Sequence, residues 1–210
     1  MDSRNNFIID WGVAERVLPG QAESGDRHVV RHFPSGALVA VVDGLGHGEE
    51  AAQAAKLAVS TLERSTPGSL ISLIRSCHQR LRGTRGAVMS MSFFDFADST
   101  MTWLGVGNVE GMLLHRDSQI VPEQEPLMLR GGVLGDHLPG IFASIIPVHH
   151  GDLLIFATDG IRNGFANNLN SNGNPQQIAE SILDRHWRGT DDALVLVAQF
   201  IYGPEPTQPM

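Results

Sequence analysis

Apolar and polar positions follow two rhythms along this chain, and the changes of rhythm mark its elements. Residues 7–17 and 28–33 mix apolar and polar positions as half-buried strands do. Pro19-Gly20 ends the first, and Pro34-Ser35-Gly36 turns the second into the apolar run 37–42, which predicts a hairpin. From 49 to 64 the rhythm is helical, with Ala51, Ala52, Ala55, Ala58, Val59 and Leu62 on one face and alanine favouring helix throughout. Thr66-Pro67-Gly68 breaks that helix. Leu70, Ile71, Ile74, Cys77, His78 and Leu81 then predict a second one, ended by Gly83.

A β pattern returns between 87 and 119. Runs 101–106 and 109–115 are expected to pair as a tight hairpin through Gly107-Asn108, after a strand at 88–94. Residues 127–140 read as a glycine-rich connection, and 143–149 with 152–158 as another hairpin through His150-Gly151. Asn174 is a natural N-cap for a helix from Pro175 to about Trp187. A last apolar strand covers 193–200, and the Pro-rich tail from Gly203 reads as disordered. Strands, two helices, more strands, one helix and one strand make an α+β order, with sheets packed together and helices outside.

Composition narrows the picture. At 210 residues the chain is expected to form one domain, residues 1–202, with 203–210 as a tail. A net charge of −8 offers no basic stripe, which argues against nucleic acid and against an anionic membrane surface. The lone Cys77 cannot form an internal disulfide and fits a reducing compartment; as part of an apolar helical stripe it reads as a buried structural thiol. No apolar h-region follows Met1-Asp2-Ser3-Arg4-Asn5-Asn6, so the cytoplasm is the expected location.

The candidate chemistry lies at strand ends. Asp43-Gly44 follows one apolar run and Asp159-Gly160 follows another; Asp26 precedes a strand, as do Asp191 and Asp192. If these ends converge, several carboxylates share one rim. Like charges that close raise one another's pKa and call for divalent cations. Two Mg²⁺ or Mn²⁺ ions suit such hard oxygen ligands, and water held between them becomes a nucleophile for phosphate-ester hydrolysis. His47 has two readings: a group that touches phosphate or water, or a cap or packing group for the helix after it.

Asp43-Gly44-Leu45-Gly46-His47-Gly48 resembles the metal-binding signature of PPM/PP2C-type serine/threonine phosphatases in their SpoIIE-like branch. Thr158-Asp159-Gly160 and Asp191-Asp192-Ala193-Leu194-Val195 are similar to its two later motifs. Gly105-Val106-Gly107-Asn108-Val109-Glu110 and Gly131-Gly132-Val133-Leu134-Gly135 resemble the small RsbX-like stressosome phosphatases. The resemblance implies a β-sandwich of two mainly antiparallel sheets flanked by helices (α-β-β-α) around a dinuclear Mn²⁺/Mg²⁺ site. Asp43 would bridge both ions and Gly44 would offer its carbonyl to one. Asp159 and Asp191 would bind the other, and Asp26 one ion directly or through water. Asp192 stands where many relatives carry Asn. Arg4 and Arg16 are the candidates for the phosphate-gripping arginine of many eukaryotic members. The implied substrates are phosphorylated STAS-domain proteins of a bacterial stressosome-type module. A non-catalytic binding module and a hydrolase of small phosphoesters are the competing readings.

Overall fold

The structure, a computed structural model, describes residues 9–201 apart from Pro67, Ser118 and Asn168. Arg4, the start of the first expected strand, the Pro67 break and the tail from Gly203 therefore lie outside the described residues.

Two sheets stack face to face. The first runs β1 (Ile9–Arg16), β11 (Ala193–Phe200), β10 (Leu153–Ala157), β6 (Glu110–Leu114), β7 (Gln124–Pro126). The second runs β2 (Asp26–Phe33), β3 (Gly36–Gly44), β4 (Ala87–Asp95), β5 (Thr100–Val106), β8 (Leu129–Arg130), and β9 (Ser144–Pro147) also pairs with β5. All pairings are antiparallel except the two-residue contact of β5 with β8. The α+β sandwich expected from the sequence is the fold observed.

The continuous apolar runs are explained by burial on both faces. In β3, Ala37, Val39 and Val41 face the other sheet, while Leu38, Ala40 and Val42 face α1 (Glu49–Arg64) and α2 (Leu70–Leu81). In β11, Leu194, Leu196 and Ala198 point inward; Ala193, Val195 and Val197 pack on α3 (Pro175–His186). Alanines at 51, 54, 55 and 58 let α1 lie close on its sheet. Helix α3 starts at a capping box, with Asn174 accepting from the Gln177 N–H, as its sequence predicts. Cys77 is buried in the helical layer, and burial pushes its thiol up to about 12, which keeps it inert.

Two expected hairpins are not hairpins. β5 and β6 belong to different sheets, so Gly107-Asn108 carries the chain from one sheet to the other. β9 pairs with β5 and β10 with β6 and β11, so His150-Gly151 is a second crossover. A two-residue glycine turn signals a reversal of direction; which strand receives the chain depends on burial of its faces. The β2–β3 hairpin does form, with Phe33 opposite Gly36. The glycine-rich 127–140 connection contains β8, too short to leave a periodic signal.

Candidate metal centre at one rim of the sandwich

Both sheets end at the same rim. β2 starts and β3 ends there, with Asp26 directly across the ladder from Asp43. β10 ends and β11 starts beside them, which brings Asp159, Asp191 and Asp192 to the same place. Asp43, Asp159 and Asp191 line a cleft of about 430 Å³, whose walls include Leu45, Asn108 and Gly131 to Val133. Asp26 lies behind it, buried, with Asp192.

Two glycines allow this approach. A Cβ on Gly44 would sit 2.0 Å from the Ala51 carbonyl oxygen, and one on Gly160 would sit 1.9 Å from that of Asp192. The Asp-Gly steps are thus packing requirements as well as turns.

Each carboxylate has a distinct setting. Asp26 accepts a 2.8 Å hydrogen bond from Thr158 Oγ1, which in turn accepts from the Leu194 N–H at 2.9 Å. Burial, then the charges of Asp192, Asp159 and Asp191, push Asp26 up to about 8 against the pull of Thr158. Asp43 is pushed up to about 9 by burial and by Asp26, Asp159, Asp191 and Asp192. Asp191 is raised by burial and by Asp159 and Asp192, opposed by the Asp192 N–H and by nearby His47. Asp159 accepts from Asn108 Nδ2 at 2.8 Å. Asp192 accepts from the Leu18 and Gly25 N–H groups, both at 2.7 Å, and so ties the β1–β2 connection to β11.

The donor set fits hard divalent cations. Five carboxylates share a rim, and among the described residues no Lys, Arg or His forms a salt bridge with any of them. No three of their oxygens from different residues come within 4.8 Å of one another, so the set does not close as a cage around one ion.

The sequence-selected Asp26, Asp43, Gly44, Asp159 and Asp191 therefore come together. Arg16 does not join them: it pairs with Asp184 at 2.9 Å and stacks 4.8 Å from the Trp187 ring centroid. His47 is not the cap of α1, whose N-cap is Gly48 without a side-chain bond. Sequence reasoning passed over Thr158 and Asn108 as individual residues. Their positions beside Asp159 and in the Gly107-Asn108 turn were the available signals.

Two packed antiparallel sheets, outer helices and carboxylates gathered at one rim define a PPM/PP2C-type phosphatase domain. Residues 34–201 match the family described as Stage II sporulation protein E (SpoIIE), and the chain belongs to that family. Phosphoserine phosphatase RsbX of Bacillus subtilis (strain 168) is 29% identical over 99 residues, 47% of this chain and 49% of RsbX, so the chain spans about half the length of that relative. Among solved structures, one from work on the bacterial stressosome as a modular system controlling secondary messenger signalling superposes with a TM-score of 0.82. It is 29% identical and covers 91% of this chain and 99% of that one. RsbX in complex with magnesium has a TM-score of 0.80 at 22% identity, covering 91% of this chain and 94% of RsbX.

Proposed function

We propose that this chain is a metal-dependent protein serine/threonine phosphatase, residues 1–202 being its single catalytic domain, that acts in the cytoplasm on phosphorylated STAS-domain regulators of a stressosome-type module. The observation that carries the reading is the meeting of Asp43, Asp159 and Asp191 in one cleft, with Asp26 behind them and, among the described residues, no salt bridge to any of them. The magnesium in RsbX and the stressosome setting of the other relative support the metal and the substrate class.

Asp43 would hold both ions, Gly44 and Asp26 would complete one shell, and Asp159 and Asp191 the other. Bound there, two Mn²⁺ or Mg²⁺ ions supply an activated water and the positive charge that a phosphoryl group needs in flight. Thr158 orients Asp26, Asn108 orients Asp159, and Asp192 holds the loops that carry them. Gly131 and Gly132 keep side chains out of one wall, leaving room for a phosphorylated segment.

Hydrolysis of p-nitrophenyl phosphate and of a purified phospho-STAS protein should be lost in Asp43→Asn and in wild-type protein treated with chelator, and restored to the latter by Mn²⁺ or Mg²⁺. Full turnover by Asp43→Asn would end this assignment. Turnover of sugar phosphates in preference to phosphoprotein would move the reading to a small-molecule hydrolase.

A further inference from the structure

At the opposite rim, about 20 Å away along β10, three elements meet around a histidine. His115 directly follows β6, and its side chain is 1% exposed. Its Nδ1 lies 2.8 Å from Asp152 Oδ2 and its Nε2 lies 3.0 Å from Glu125 Oε1 on β7. His149 approaches from the chain entering β10. Its backbone N–H donates to the same Asp152 oxygen at 2.9 Å, and its Nδ1 stands 3.6 Å from it. The second Asp152 oxygen accepts from the Arg116 N–H at 3.0 Å. One ligand atom each from His115, His149 and Asp152 all lie within 4.8 Å of one another.

A neutral imidazole carries one N–H. Between two carboxylates at hydrogen-bond distance, neutral His115 would press a ring lone pair against a carboxylate lone pair. The arrangement calls for a cation, either a second proton on the ring or a metal ion. Glu125 is suited to accept a hydrogen bond from the Nε2–H, which leaves the Nδ1 lone pair directed at the Asp152 and His149 side, the relay found behind metal-bound histidines. Two imidazoles and a carboxylate form a donor set for tetrahedral zinc, whose ligand atoms stand about 3.3 Å apart. Closing to that spacing falls mainly on His149, whose side chain is 53% exposed and free to adjust. The carboxylate cleft offers only hard oxygen, so the two rims select different metals. The partners of His149 come not from its neighbour His150 but from the end of β6 and the turn before β10.

We propose that His115, His149 and Asp152 form a second site, separate from the cleft, for one transition-metal ion of the zinc type, with Glu125 positioning His115. The test is calorimetric titration of the metal-stripped full chain with Zn²⁺ in excess Mg²⁺, together with Co²⁺ absorption as a report of four-coordination. One equivalent should bind with an intense visible Co²⁺ band. His149→Ala, an exposed position that spares the fold, should weaken that equivalent at least tenfold and leave phosphatase turnover unchanged, while Asp43→Asn should retain it. Absence of Zn²⁺ binding, or binding lost in Asp43→Asn and kept in His149→Ala, would overturn the proposal and leave His115 held by a proton alone.

Discussion

Asp192 commits both carboxylate oxygens to backbone N–H groups 174 and 167 residues away, in Leu18 and Gly25, and this makes it a clamp between segments. Its removal leaves two N–H groups short of a partner in a buried place. Asp192→Ala should cost about 2–4 kcal/mol, the scale of buried bonds to a charged acceptor left unmade, and Asp192→Asn less, because one acceptor oxygen remains. Denaturant unfolding at pH 5 without metal isolates the effect, since Asp26 and Asp43 are then neutral; an unchanged midpoint for the alanine variant would refute the clamp. Composition and motif made Asp192 visible in the sequence as part of an acidic pair. Only the contacts of its oxygens separate it from Asp191, which faces the cleft.

At the scale of elements, the two glycine turns taken as hairpins show where local pattern stops. Gly107 has φ +102, and a Cβ there would lie 2.1 Å from Val88 Cγ1 on β4. Gly20 has a similar φ of +92 but open space around it. Gly20→Ala should therefore cost only backbone strain, whereas Gly107→Ala should add about 1–3 kcal/mol of overpacking. It should also shift Asn108 and weaken metal binding. Paired urea titrations of the two variants, with Mn²⁺ affinity read alongside, check this; equal costs would mean that the crossover has room to spare. The helices were legible because they repeat one period over many residues, as at 49–64, and the long central strands because they are unbroken apolar runs, as at 193–200. β7 and β8 were not, being three and two residues long and held by pairing with β6 and β5.

For the whole molecule, the rim couples folding to pH and metal. Asp26 and Asp43 titrate near 8 and 9 in the fold, against about 4 in an unfolded chain. A raised carboxyl favours the fold while it is protonated. That contribution is fully present below about pH 4 and is lost as pH climbs through the folded values. Metal-free protein should thus show a falling Tm between pH 5 and 9. Saturating Mn²⁺ or Mg²⁺ should flatten that fall by binding the ionised form, and Asp43→Asn without metal should lessen it. A metal-free Tm that rises with pH across this range would contradict the buried-acid account. Among the described residues no helix is long and apolar enough to cross a membrane.

The order of elements, the buried character of the central strands and the Asp-Gly steps followed from the sequence alone, because hydrophobic period and turn chemistry act over a few residues. The sheet that each strand joined, the meeting of Asp43, Asp159 and Asp191 in one cleft with Asp26 behind it, and the gathering of His115, His149 and Asp152 at the far rim were decided by tertiary structure. Those contacts join residues far apart in the chain, and what selects them is the burial of both faces of two stacked sheets, a condition no local stretch contains.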